Sequence, residues 1–202
     1  MAAVLGRRPD NVVYMGMGEP FDNYDAVLKS VRILNHPDGL NIGARRITLS
    51  TSGVIPGIRR LAEEGLQVEL SVSLHAANPE LRRRLMPVEN KYPMDALLDA
   101  CADYTARTKR HITFEYTLIR GVNDAREDAE QLAGRLRRFP CRVNLIPLSP
   151  VEEFEGAAPS RSAMEGFLRV LEKRGVEGTL RDSKGQHVDA ACGQLRRRAH
   201  HT

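Results

Sequence analysis

Tryptophan is absent from this 202-residue chain, and phenylalanine and tyrosine occur only five times each. A platform of aromatic rings for stacking the bases of a single strand is therefore not expected. Cysteine is scarce as well: Cys101, Cys141 and Cys192 stand far apart. An odd count without a repeated spacing argues against a disulfide scaffold and fits a reducing cytoplasm. The six histidines are scattered apart from the terminal His200-His201 pair, and neither a CxxC nor an HxxxH spacing occurs. No tight metal site is expected from such a set. No apolar run approaches the length of a membrane span, and the N-terminus lacks a signal-peptide core, so no membrane partner is expected. Low-complexity segments, sequence repeats and linkers are missing too.

What is present fits one domain over residues 1–202. The chain is 42% hydrophobic and 28% charged, with a net charge of +4 and a pI near 9.1. That mild basicity permits a polyanionic partner without demanding one. Arginine is dense at Arg45-Arg46, Arg59-Arg60, Arg82 to Arg84 and Arg196 to Arg198. Each cluster reads first as a solvated face and second as a phosphate contact.

The stretch Asn11 to Pro20, NVVYMGMGEP, organises the rest. Val12, Val13 and Tyr14 form a short apolar run of strand formers, the pattern of a strand buried on both faces. Gly16 and Gly18 follow, and their missing Cβ atoms let a ligand lie against the backbone. Glu19 then places a carboxylate at the strand's C-terminal end, and Pro20 fixes the backbone after it. A carboxylate beside open glycine backbone suits a small ligand bearing an ammonium group. The plain alternative is a glycine-rich turn with a solvated acid.

Strand and helix patterns alternate along the chain. Helices are expected over Tyr24–Leu34, Ile55–Glu64, Asp95–Thr108, Ala125–Phe139 and Ser160–Arg174, with Ser160 as a cap. Asn78-Pro79 starts another as an N-cap and first-turn proline. Strands are expected at Arg46–Ser50, Gln67–His75, Ile112–Ile119, Arg142–Pro147 and Gly178–Arg181. Gly121 to Asp124 reads as a turn ending in an N-cap. The fold class is α/β with a parallel sheet and outer helices, either part of a barrel or doubly wound.

Each strand ends in small polar residues, and a parallel barrel gathers such positions at one mouth. Gly18-Glu19, Ser50 to Gly53, Ser73-Leu74-His75, Glu115, Tyr116 and Asn144 make up that set. Nothing resembles a nucleophile elbow. His75 and His187 alone would be structural hydrogen-bonders. Cys101 on a helix stripe and Cys141 at a strand start read as buried and structural. Cys192 sits between small residues in Asp189-Ala190-Ala191-Cys192-Gly193, where a thiol is accessible, and both a structural and a nucleophilic reading stand.

Taken together, MGMGEP at 15–20, RRITLSTSG at 45–53, SLHA at 73–76, NLIP at 144–147 and DAACGQL at 189–195 resemble the radical S-adenosylmethionine (SAM) adenine methyltransferases of the RlmN/Cfr type, and the RlmN branch most. Order and spacing match from Val12 to Leu195. The resemblance implies a partial (β/α) barrel of the radical SAM type that binds SAM at its mouth. Gly18 and Glu19 would take the amino end of the methionyl group, and Ser50, Ser73, Leu74, His75 and Asn144 would make the other SAM contacts. Cys192 matches the cysteine that the family methylates. In that chemistry one SAM methylates the thiolate, and a second is cleaved reductively at a [4Fe-4S] cluster to a radical. The product is adenine methylated at carbon 2 in 23S rRNA and tRNA. The implied partners are these RNAs and a flavodoxin-like electron donor, for a cytoplasmic monomer.

Against the family pattern, the resemblance implies that the N-terminal helical domain, the first barrel strand with its cluster loop, and the upstream cysteine that resolves the protein–RNA adduct are missing from this sequence. The family's cluster-binding CxxxCxxC motif does not occur here. The resemblance therefore implies the C-terminal part of such an enzyme, an incomplete catalytic core that is inactive alone and holds no metal through its own residues. A fragment, a truncated gene model and one piece of a split protein all fit. Other readings are a non-catalytic SAM- or RNA-binding remnant, a Cfr-like enzyme acting on adenine carbon 8, and an unrelated barrel enzyme for a phosphorylated metabolite. The last has no glycine-rich phosphate loop to support it.

Overall fold

The periodic segments fold into six strands and six α-helices in the computed structural model, which describes residues 6, 8–16, 18–149 and 155–181. The strands are β1 (Val12–Tyr14), β2 (Ile47–Thr51), β3 (Glu69–Ser73), β4 (Ile112–Leu118), β5 (Cys141–Pro147) and β6 (Glu177–Leu180). The helices are α1 (Tyr24–Asn35), α2 (Ile55–Leu61), α3 (Pro79–Leu85), α4 (Met94–Thr108), α5 (Arg126–Leu136) and α6 (Arg161–Lys173). All strand pairs are parallel, and the sheet order is β1-β2-β3-β4-β5-β6.

That order decides between the two architectures left open by the sequence. The strand order never reverses, so right-handed crossovers place every helix on one face. This is the winding of a barrel rather than of a doubly wound sheet. The helix-covered face is apolar: Ile47, Leu49, Leu70, Val72, Phe114, Val143 and Leu145 are fully buried there. Leu28 and Val31 of α1 and Leu97, Leu98, Cys101 and Tyr104 of α4 pack into the same core, on the stripes their spacing implied. Each fully buried aliphatic side chain stabilises the fold by about 1.5–3 kcal/mol relative to exposure.

The helix caps follow the sequence at two places. Asn78 Oδ1 accepts from Leu81 N at 2.9 Å, and Ser160 Oγ accepts from Ala163 N at 3.2 Å. At α5 the cap is Ala125 rather than Asp124. Asp128 supports it instead, its Oδ2 accepting from Ala125 N at 3.1 Å, while Asp124 Oδ1 accepts from Gly121 N inside the turn.

Two further expectations are corrected. β1 is not buried on both faces: Val13 is 59% exposed, because it stands beside Thr48 on the inner face, opposite the helix-covered one, and β1 pairs only with β2 among the described residues. Arg82 does not belong to a solvated face. It is fully buried in an ion pair with Glu89, with Arg82 Nη1 and Glu89 Oε2 2.6 Å apart. Helical periodicity puts it on the inward side of α3, next to Leu81 and Leu85.

Candidate functional site

Side chains alternate across a strand, so the residues between the buried apolar ones share the opposite face. On that inner face the register lines up two polar rows. Ser50, Ser71, Thr113 and Arg142 are consecutive partners across β2 to β5. One step towards the C-terminal ends, Ser73, Glu115, Asn144 and Thr179 are partners across β3 to β6. Neighbouring strands lie about 4.8 Å apart, so each row is a continuous line of hydrogen-bonding groups. Ser50, Ser73 and Asn144, three of the expected contact residues, stand on these two rows.

Glu115 is the acid at the centre of the second row and is 4% exposed. Asn144 Nδ2 donates to its Oε1 at 3.2 Å, while Oε2 has no hydrogen-bond partner among the described residues. Burial pushes its pKa up, opposed by the Asn144 hydrogen bond, the Arg181 charge and the nearby Ser71 hydroxyl. The donation by Asn144 turns its Oδ1 away from Glu115, leaving that oxygen to accept from another group. Glu115 was not among the expected SAM contacts. Its signal in the sequence is a lone acid inside the otherwise uncharged strand ITFEYTLI.

At the C-terminal end of β1, Gly16 and Gly18 take φ values of +100° and +124°, which only glycine adopts without strain. A Cβ at either position would meet nothing within 4 Å, so the backbone there is open. Glu19 follows and caps the short turn Pro20–Asn23. Its Oε1 accepts from Phe21 N at 3.0 Å, and its Oε2 accepts from Ser52 N at 2.7 Å and Ser52 Oγ at 2.8 Å. A carboxylate has about four acceptor places, so three donors leave room for one more. Ser52, in the loop after β2, thus ties two strand ends together.

The end of β3 is built by its neighbour. Leu74 N and His75 N both donate to Glu115 O, at 3.0 and 3.3 Å. His75 leaves the strand with φ +55°, earlier than its apolar run suggested. Its Nδ1 accepts from Thr117 N at 3.0 Å, which puts the ring proton on Nε2 as a free donor. Burial, and secondarily the Arg82 charge, lower its pKa to about 4, so the ring is neutral. Asn123, fully buried, holds the strained carbonyl: its Nδ2 donates to His75 O and Thr117 O, and its Oδ1 accepts from Ile119 N. Tyr116, expected at the mouth, faces the helix side and donates to Asn123 O at 2.9 Å.

The structure therefore gathers Gly18, Glu19, Ser50, Ser73, Leu74, His75 and Asn144 at the C-terminal ends and inner face of one sheet. Cys192 lies outside the described residues, as do His187 and the Arg196 to Arg198 cluster. An ammonium acceptor, a neutral imidazole donor, two serine hydroxyls and a half-satisfied acid fit a ligand carrying amino and hydroxyl groups, as SAM does. The described residues do not fit an iron–sulfur cluster. Among them no three His, Cys, Asp or Glu side chains group as metal ligands. Burial raises the pKa of Cys101 and pushes that of Cys141 up to about 12, so neither is a thiolate. A groove of about 370 Å³ lined by Asp124, Arg126, Phe167, Arg169 and Lys173 lies between α5 and α6, apart from these residues.

Residues 1–133 match the Radical SAM superfamily. A probable dual-specificity RNA methyltransferase RlmN of Geobacillus kaustophilus is 51% identical over 189 residues, covering 94% of this chain and 52% of that protein. The protein of the same name from Moorella thermoacetica is 52% identical over 193 residues, covering 95% of this chain and 54% of its own. The chain thus spans about half the length of the curated relatives it matches. Among solved structures, a radical SAM methyltransferase from Sphaerobacter thermophilus superposes with a TM-score of 0.91 at 50% identity, over 96% of this chain and 57% of that one.

Proposed function

The chain belongs to the radical SAM superfamily, and we propose that it forms the SAM-binding part of an RNA methyltransferase that modifies carbon 2 of adenine in 23S rRNA and tRNA. The observation that carries this reading is the polar inner face, where Glu19, Ser73, His75 and Asn144 converge from three different strands. The names of its half-identical relatives supply the methyltransferase and RNA parts of the proposal.

Each residue has a part set by its chemistry. Glu19 accepts from the amino group of the methionyl end in a charge-assisted hydrogen bond. The open backbone at Gly16 and Gly18 lets that end approach. Ser50, Ser73 and Asn144 Oδ1 orient the ribose and adenine, and His75 Nε2 donates from the rim. When bound, SAM supplies a methyl group activated by its sulfonium centre. The Cys192 thiolate would accept that methyl group, a sulfur–carbon bond forming as the rest of the sulfonium leaves as a neutral thioether with the electron pair. The thiol proton must leave first, which calls for a lowered pKa or a nearby base at Cys192. Among the described residues no three His, Cys, Asp or Glu side chains group as cluster ligands.

RNA reaches the site as a polyanion, with Arg83 and Arg84 of α3 as exposed cations for its phosphates. A target adenine inside a stem must be turned out to enter the mouth. A cytoplasmic location goes with this substrate, and among the described residues no helix is long and apolar enough to cross a membrane.

The test is made on a longer protein that contains this chain together with a cluster-binding segment. Peptide mass spectrometry should find an S-methyl group on Cys192, and Cys192→Ala should abolish methyl transfer to RNA. A methyl group on Cys101 or Cys141 instead, or full transfer by Cys192→Ala, would overturn the proposal.

A further inference from the structure

The loop after β2 is held from behind by a buried ion pair in the helix layer. Arg82 on α3 and Glu89 in the turn Pro87–Asn90 are both wholly buried. Arg82 Nη1 donates to Glu89 Oε2 at 2.6 Å and to Tyr92 O at 3.3 Å, and Arg82 Nη2 donates to Ser52 O at 2.8 Å. Glu89 is satisfied on its other oxygen, which accepts from Met94 N at 3.0 Å. Ser52, gripped at its carbonyl by Arg82, turns its N–H and hydroxyl to Glu19 Oε2. A continuous line of hydrogen bonds, Glu89–Arg82–Ser52–Glu19, runs from the helix layer to the sheet's C-terminal edge. Gly53 keeps the line tight: a Cβ there would come within 3.0 Å of Arg82 Nη2.

A buried ion pair is expensive to desolvate, and apolar residues of equal volume usually stabilise a core as well. Its retention is explained when the pair does something an apolar core cannot. Here the planar guanidinium fork reaches an acid and a loop carbonyl at once, which a lysine point charge cannot reproduce.

We propose that Arg82 and Glu89 are positioning residues of the ligand site, fixing the Glu19 carboxylate through Ser52. The proposal rests on the SAM-binding reading for the identity of the ligand, but the positional coupling is a property of the chain itself. Arg82 also serves the second half of the site, since its charge helps keep His75 neutral. No bond is made or broken by the pair. Its effect is to present Glu19 in one rotamer, so that an incoming ammonium group meets a preorganised acceptor.

The test uses the whole chain. Amide NMR signals of Phe21 and Ser52 report on Glu19, because those two N–H groups donate to it. Arg82→Lys keeps the charge and loses the fork; Ser52→Ala keeps the pair and loses the hydroxyl. In both, the Phe21 amide should shift and exchange faster while the remaining spectrum stays dispersed. SAM affinity, read by titration, should fall roughly tenfold in Arg82→Lys, as for one charge-assisted hydrogen bond. In a Glu19→Gln background the same change should cost less than about twofold, since coupled sites are not additive. An unmoved Phe21 amide in folded Arg82→Lys, or an equal loss of affinity with and without Glu19, would overturn the proposal. If Arg82→Lys does not fold, Ser52→Ala decides alone on the Phe21 amide. If the amides move but the unaltered chain shows no SAM binding, the coupling stands and the SAM reading fails.

Discussion

The side-chain amide of Asn123 donates to the main-chain carbonyl of His75 at 2.9 Å, joining the turn after β4 to the residue that ends β3. The same amide donates to Thr117 O at 2.7 Å and accepts from Ile119 N at 2.7 Å. One buried side chain therefore stands in for several main-chain hydrogen bonds where the strands part. It also holds the left-handed backbone of His75, at φ +55°.

Replacing Asn123 with alanine should leave two carbonyls and an N–H buried without partners. Each such group costs about 1–3 kcal/mol. With partial relief by water, Asn123→Ala is expected to lose about 3 kcal/mol in urea unfolding, with an unchanged m-value. A loss under about 1 kcal/mol would mean that the seam does not depend on this amide.

His75 gives a pH dependence with a definite sign. Its pKa is about 4 in the folded chain against an ordinary value near 6.5. Between those values the unfolded chain binds a proton that the folded chain refuses. Stability should therefore be flat above pH 6.5 with respect to this group and fall as the pH drops towards 4, by on the order of 3 kcal/mol. His75→Gln, with an amide that accepts from Thr117 N, should flatten that window. An NMR titration that finds the His75 ring charged at pH 6 in the folded protein would contradict the assignment.

Gly57 marks a contact that supports Glu19 from the helix side. A Cβ at Gly57 would meet the Phe21 ring at 2.4 Å. Phe21 carries the amide that donates to Glu19 Oε1. Gly57→Ala, though favourable to a helix by propensity, should cost about 1–3 kcal/mol by overpacking. Thermal unfolding of the variant checks this; a raised melting temperature would show that Phe21 can move aside freely.

Much of this architecture is legible in the sequence, for physical reasons. Alternating strand and helix patterns imply a parallel sheet, and the glycines before Glu19 mark an open strand end. The strand order needed the structure, because periodicity says which segments pair into sheets but not which neighbour each one takes. Exposure of Val13 was not readable, since an apolar triplet looks alike at a sheet edge and in its centre. Arg82 was misplaced for a related reason: three consecutive arginines look solvated, yet helical geometry turns the first of them inward. Ser52 and Asn123 act through hydrogen bonds to residues far away in sequence, and only the folded geometry brings them together. Glu115 lay in plain view as an acid in a strand, but its half-satisfied state depends on β5 supplying Asn144.

The thiols differ in reactivity in a way that alkylation can rank. Cys101 is fully buried and Cys141 half-buried, and burial raises the pKa of both. Under native conditions at neutral pH, iodoacetamide should leave Cys101 untouched and label Cys141 slowly. Cys192, expected from its small neighbours to be accessible, should be labelled first. Faster labelling of Cys101 would show that the α4 core opens readily.

The most direct measurement is a SAM titration of the isotope-labelled chain followed by amide NMR. If the inner face is the ligand site, the amides of Gly18, Ser73, Leu74 and His75 and the side-chain amide of Asn144 should shift together along one binding curve. Glu19→Gln should weaken that curve by the equivalent of about 1.5–3 kcal/mol. Shifts confined to the groove of Arg126, Arg169 and Lys173 between α5 and α6, or no shifts at saturating SAM, would contradict it.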